Sequence, residues 1–114
     1  MKDVIIIGGG PAGIFCAAAI KEHSKEAVNV TIVERLDKIG KKILATGNGK
    51  CNFTNKNLIP KKYSNPKFVT PTLSKYGCRE IIDYFESIGL LSKEISEGRV
   101  YPYTESATTV LEVM

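Results

Sequence analysis

Three glycines and one carboxylate are the groups of this chain best placed to bind a ligand. The glycines are Gly8, Gly10 and Gly13, in the run V-I-I-I-G-G-G-P-A-G at residues 4–13, and the carboxylate is Glu34. Gly8 permits a tight turn out of a strand, Gly10 lets backbone approach a pyrophosphate, and Gly13 lets a helix pack closely on a sheet. A helix starting at Pro11 and Ala12 would aim free N–H groups and a positive dipole end at that pyrophosphate. Glu34 follows Gly13 by about 20 residues, the spacing at which an acid accepts hydrogen bonds from an adenosine ribose hydroxyl. A carboxylate there would repel a 2′-phosphate, so FAD or NAD is favoured over NADP.

The elements that must hold these groups follow from the hydrophobic patterning. Residues 3–8 form a continuous apolar strand, as expected where both faces of a parallel sheet are covered. Residues 12–26 form a helix with Ile14, Phe15, Ala17, Ala18 and Ile20 on its buried side. Polar residues 23–27 mark the reversal, and residues 29–33 form a second strand ending at Glu34. The fold class is therefore α/β, with residues 1–34 as a βαβ unit of a Rossmann-like FAD/NAD(P)-binding domain. An ordinary βαβ unit with a structural glycine turn is the competing reading.

A second motif, G-K-K-I-L-A-T-G-N-G-K-C-N-F-T-N, occupies residues 40–55. Gly47 and Gly49 flank Asn48 and describe a tight turn that exposes backbone N–H groups. Thr46, Asn48 and Asn52 add hydrogen-bonding side chains, and Lys42 and Lys50 add positive charge. Cys51 lies beside Lys50, which favours its thiolate, but no second cysteine lies near enough in sequence to resolve a disulfide. The motif reads as a second anion-cradling or ring-contacting loop, with a plain surface loop as the alternative.

Charge is unevenly spread. The chain has 114 residues and a net charge of +4, yet the stretch from Lys38 to Arg79 holds nine lysines, one arginine and no acid. Such a block suits an anionic partner or a solvated loop. Three widely spaced cysteines suggest neither a disulfide framework nor a zinc site, which fits a reducing cytoplasm. No apolar run approaches membrane-spanning length, and the short lead of Met1, Lys2 and Asp3 into the first strand is expected to leave no room for a signal or transit peptide. Residues 106–114 read as a helix that has only begun, so the chain is expected to be the N-terminal portion of a longer protein.

The remaining segments carry weaker signals. Residues 56–71 read as an extended connection, in which Tyr63 and Phe68, with Phe53 before them, are interleaved with lysines. Residues 79–88 form a helix built on Ile81, Ile82, Phe85 and Ile88 and capped by Gly89. Residues 90–95 and 99–103 flank Ser96-Glu97-Gly98 as a hairpin. Arg99, Tyr101 and Tyr103 either face a substrate or edge a small sheet. His23 is the single histidine and no nucleophile–base pair assembles, so no catalytic residue is assigned and the redox chemistry falls to a cofactor.

The chain resembles the BaiN-type family of bacterial NAD(P)/FAD-dependent oxidoreductases. The resemblance is carried by residues 8–13, Glu34-Arg35, residues 40–55 and the later Gly98-Arg99-Val100-Tyr101-Pro102, and it runs along nearly the whole chain. The family's second signature more often has Ser where Thr46 stands and Arg where Lys50 stands. The resemblance implies that the βαβ unit binds the ADP half of FAD, with Glu34 and Arg35 at the ribose end. It also implies that residues 46–52 lie along the pyrophosphate, ribityl chain or flavin ring. Members include an aminoacetone oxidase and a reductase of oxidised bile acids, and the resemblance implies that most of their inserted substrate domain and their late FAD-completing segment lie outside this chain.

The combined expectation is the FAD-binding segment of a flavin-dependent oxidoreductase, with NAD(P)H as a candidate electron donor. Its expected partner is a small-molecule substrate, with no nucleic acid and no membrane. Two rivals stay open. One is an NAD-binding dehydrogenase without flavin, against which the 40–55 signature counts. The other is a nucleic-acid-binding module that uses the basic block.

Overall fold

A computed structural model describes residues 1–114 throughout. Strands β1 (Lys2–Ile7) and β2 (Val28–Val33) run parallel, with Lys2 opposite Val28 and Ile7 opposite Val33. Helix α1 (Pro11–His23) makes the crossover between them. The β-branched residues of both strands suit a pleated, buried surface, and the alanines of α1 allow its close approach. The helix stops at His23, short of residue 26, because Ser24 turns to an extended conformation with φ −70° and ψ 125°. That exit lets the chain reverse into β2, where the Lys21 ammonium donates to Val28 O at 2.7 Å.

Within this chain the sheet is covered on one face. Its continuous apolar sequence implies cover on both faces, but Ile5 and Ile7 are 65% and 81% exposed. Helix α1 packs on one face only, so the alternate side chains of β1 and β2 point into open space.

The second half is organised around a three-stranded antiparallel sheet in the order β3-β5-β4, from β3 (Thr54–Asn55), β4 (Ser92–Glu94) and β5 (Arg99–Pro102). The expected hairpin is β4–β5. Its turn places Glu97 at φ 63° and Gly98 at φ 73°, the two successive left-handed residues that match the twist of paired strands. Strand β3 was read only as part of a loop; at two residues it is too short to show alternation.

Residues 56–71 are not an extended connection. They hold a 3₁₀ turn at Pro60–Lys62 and most of helix α2 (Pro66–Lys75). Asn65 caps that helix by accepting from Phe68 N–H at 3.1 Å, and Pro66 occupies a first-turn position where no N–H is needed. Pro71 removes one internal bond without ending the helix.

Helix α3 (Cys78–Ser87) ends as foreseen at Gly89, whose φ is +97°. Gly89 N–H donates to Glu86 O at 3.0 Å and Leu90 N–H to Phe85 O at 2.8 Å, the paired bonds of a Schellman cap. Helix α4 (Ala107–Val113) follows the sheet. One core of Ile14, Ile43, Cys51, Phe85, Leu90, Ala107 and Val110 ties α1 to α3, α4 and the second glycine motif. Phe53 lies with its ring centroid 4.8 Å from that of Phe85, so the second motif is anchored by aromatic packing.

Candidate functional site

The first loop divides its glycines by job. A Cβ added at Gly13 would fall 2.0 Å from Gly8 O, so the approach of helix to strand forbids any side chain there. A Cβ added at Gly10 meets nothing within 4 Å. Gly10 also forms the N-terminal cap of α1, where no side chain caps the helix and no acid stands in the first turn. The helix therefore opens onto free space with a positive dipole end and uncapped N–H groups beside Ala12 and Gly13. That arrangement fits a pyrophosphate, for which the missing Cβ of Gly10 leaves room.

Glu34 is brought onto this loop. Its Oε2 accepts from Gly9 N–H at 2.7 Å and its Oε1 from Leu36 N–H at 2.8 Å. The Leu36 and then the Gly9 N–H groups hold the carboxyl below the ordinary value of 4.5, so it is ionised at neutral pH. Each oxygen keeps lone-pair capacity for a ribose hydroxyl. Arg35, next to it, is exposed.

The sequence reading missed Gly9 and Gly40. A Cβ at Gly9 would lie 2.6 Å from Ile39 Cγ2 and 3.3 Å from Glu34 Cβ. Gly40 N–H donates to Gly9 O at 2.6 Å and thereby joins the start of the second motif to the first loop. Gly40 has φ +69°, and a Cβ there would meet Leu111 Cδ1 at 2.1 Å. The run of three successive glycines was the available signal for Gly9; Gly40 had only its place at the head of the motif.

The second motif is a 3₁₀ segment, Ile43–Gly49, broken by an extended Thr46 and by left-handed Gly47 and Asn48 at φ 54° and 55°. Thr46 Oγ1 donates to Ile43 O at 2.6 Å, and Thr46 O accepts from Cys51 N–H at 3.0 Å. With its amide nitrogen facing the two carbonyls, Asn52 donates to Thr54 O at 2.8 Å and Val100 O at 3.1 Å. Thr46 and Asn52 thus shape the loop with bonds of their own. A Cβ at Gly47 would sit 2.6 Å from Asn52 N and 3.3 Å from the Tyr101 ring, whereas Gly49 faces open space. Lys42 and Asn48 are exposed, and the Lys50 ammonium lies 3.2 Å from Glu105 Oε1.

The two motifs meet. A cavity of about 320 Å³ is lined by Pro11 from the first loop and by Thr46, Cys51 and Asn52 from the second, with Phe53 and Val110 behind them. Cys51 is 6% exposed and belongs to the core. A larger groove of about 640 Å³ lies between α1 and α3, lined by Phe15, Ala19, His23, Tyr76 and Tyr84, and none of the expected site residues reaches it.

A parallel βαβ unit with a glycine turn, an uncapped crossover helix and an acid at the end of its second strand defines a Rossmann-type nucleotide-binding protein. Residues 2–114 match the family described as HI0933-like protein Rossmann domain, and the chain belongs to that family. It is 40% identical over 116 residues to the 3-dehydro-bile acid delta(4,6)-reductase of Clostridium scindens, covering 100% of this chain and 28% of that protein. It is 38% identical over 115 residues to the ribosomal RNA dihydrouridine synthase of Haemophilus influenzae, covering 99% of this chain and 28% of that protein. A shorter match of 39 residues at 46% identity, covering 34% of this chain and 8% of the relative, is to the FAD-dependent oxidoreductase dbaF of Emericella nidulans. The chain thus spans 28% of the length of each of these two long relatives. No helix is long and apolar enough to cross a membrane.

Proposed function

We propose that the protein is an FAD-dependent reductase that adds hydrogen across a carbon–carbon double bond polarised by a nearby carbonyl, with NAD(P)H as electron donor. The observation that carries the FAD reading is the open face at Gly10 above the uncapped start of α1, with Glu34 fixed on the neighbouring Gly9 N–H at 2.7 Å. In this reading Gly10, Ala12 and Gly13 receive the pyrophosphate, and Glu34 accepts from the adenosine ribose. The cavity lined by Pro11, Thr46, Cys51 and Asn52 faces the flavin end in this reading, and Lys50, exposed on the same loop, stabilises negative charge on the pyrophosphate or the reduced flavin. Bound FAD supplies the hydride chemistry, while the chain orients it and tunes its electrostatics.

The double-bond chemistry rests on the relatives' names. A delta(4,6)-reductase of a 3-dehydro-bile acid and a dihydrouridine synthase both saturate a carbon–carbon bond in a ring system that carries a carbonyl. A small organic substrate is the first reading. An RNA substrate is a second one, favoured by Lys61, Lys62, Lys67 and Lys75. None of these has an acidic partner; Lys61 and Lys62 precede the exposed Tyr63 in sequence, Lys67 precedes the exposed Phe68, and Lys75 Nζ sits 5.1 Å from the Tyr76 ring centroid.

The test begins with the absorbance spectrum of the purified protein after FAD is supplied. A flavin band near about 450 nm, bleached anaerobically by NADH or NADPH and restored by an enone, is the expected result. NAD binding with no flavin band would replace this reading with a nicotinamide dehydrogenase. Tight, steeply salt-dependent oligonucleotide binding would move the substrate to RNA.

A further inference from the structure

We propose that Glu105 is a positioning residue for Lys50, holding its ammonium group at the rim of the second loop to meet an anionic group of the bound cofactor. The inference rests on the FAD reading above and adds a residue from the other end of the chain to that site.

Glu105 stands in the turn between β5 and α4, where its N–H donates to Pro102 O at 2.8 Å. Its two carboxylate oxygens face two different lysines. Oε1 lies 3.2 Å from Lys50 Nζ and Oε2 lies 3.0 Å from Lys93 Nζ. The Lys93 ammonium also sits 5.2 Å from the Tyr103 ring centroid, so the carboxylate is anchored on its far side by a lysine that is itself held. The three groups together carry a net charge of +1. Lys93 and then Lys50 keep the Glu105 carboxyl below 4.5, so the arrangement is charged at neutral pH.

An isolated surface ion pair of this length would contribute little. The backbone around this one sets it apart. Four non-glycine residues have positive φ, and three of them, Asn48 at 55°, Cys51 at 56° and Glu105 at 51°, lie on the two segments that this contact joins. Left-handed backbone is unfavourable for such residues and persists where surrounding contacts over-determine it, commonly at ligand sites. These two segments bring Lys50 and Glu105 together across 55 residues of sequence. A free lysine gives up rotamer entropy when a ligand orders it, and Glu105 removes part of that loss beforehand.

The experiment is a double-mutant cycle on FAD affinity, read by quenching of flavin fluorescence at two salt concentrations, with thermal midpoints measured alongside. K50M should weaken FAD binding about tenfold, and E105Q should weaken it about threefold to fivefold. In the K50M background E105Q should have no further effect, and the E105Q effect should shrink at high salt. K93M, which leaves the Glu105–Lys50 contact in place but frees its anchor, should give a smaller loss that also vanishes in the K50M background; it serves if E105Q fails to fold.

Equal losses with E105Q in both backgrounds would reduce Glu105 to a structural turn residue and overturn the proposal. So would unchanged affinity in E105Q. If K50M binds FAD like the unsubstituted protein while Gly10→Val does not bind, the positioning role falls and the FAD reading stands. If the unsubstituted protein takes up no FAD, both fall.

Discussion

The two loops that meet at the cavity are built by opposite means. The first loop is mostly main chain: Gly13 is set by strand–helix closeness, Gly8 by its φ of +100° and Gly9 by Ile39 beside it, Gly10 faces open space, and the Glu34 side chain closes the loop on Gly9 N–H. The second loop depends on side chains and on distant segments. Tyr101 packs on Gly47, Leu111 on Gly40, Val100 O accepts from Asn52 and Phe53, and Glu105 holds Lys50. A main-chain site is rigid once its helix docks, whereas a site assembled from remote side chains can be tuned one contact at a time.

Substitutions at Gly13 and Gly10 test that contrast most severely. Gly13→Val should cost more than about 3 kcal/mol in urea unfolding, since its Cβ would fall 2.0 Å from Gly8 O. Gly10→Val, with nothing within 4 Å of the new Cβ, should leave stability within about 1 kcal/mol while FAD affinity falls about a hundredfold or more. If both variants unfold alike, the open face at Gly10 has been misread.

At the second loop, Gly40→Ala should cost about 2 kcal/mol, from its φ of +69° and from collision with Leu111. Leu111 is a movable side chain, so Leu111→Ala should offset part of the loss when the two are combined. Strict additivity in that double variant would deny the contact.

A pH series separates the loops further. Glu34 and Glu105 both have carboxyl groups held below 4.5, by N–H groups of Leu36 and Gly9 in the first case and by Lys93 and Lys50 in the second. A depressed native value means that their stabilisation is complete above pH 4.5 and is lost as the pH falls below it, through the native value. Glu34→Gln and Glu105→Gln should each flatten that acid limb of the unfolding curve. Added salt should erase the Glu105 contribution and spare that of Glu34, which is held by hydrogen bonds.

The smallest effect is expected at Thr54. Its hydroxyl is buried without a partner, so Thr54→Val should raise stability by about 1 kcal/mol and leave FAD affinity unchanged. Weakened FAD binding would show instead that this hydroxyl serves the ligand.

The legible parts of the site share one property, short range. The Gly8–Gly13 spacing, the later Glu34, the helix ending at Gly89 and the turn at Ser96-Glu97-Gly98 each depend on residues close in sequence or on a fixed crossover length. Helix α2 had a local signal as well, Asn65 followed by Pro66, which the polar composition of the segment concealed.

Strand, turn, crossover helix and carboxylate were decided by the sequence alone, because periodicity, glycine backbone freedom and chain length act within a few dozen residues. Tertiary structure alone decided that Gly9 must lack a side chain beneath Ile39, that Thr46 and Asn52 hold the loop itself, and that Lys50 meets Glu105. Those outcomes depend on which distant surfaces come into contact, and residue spacing carries no record of that.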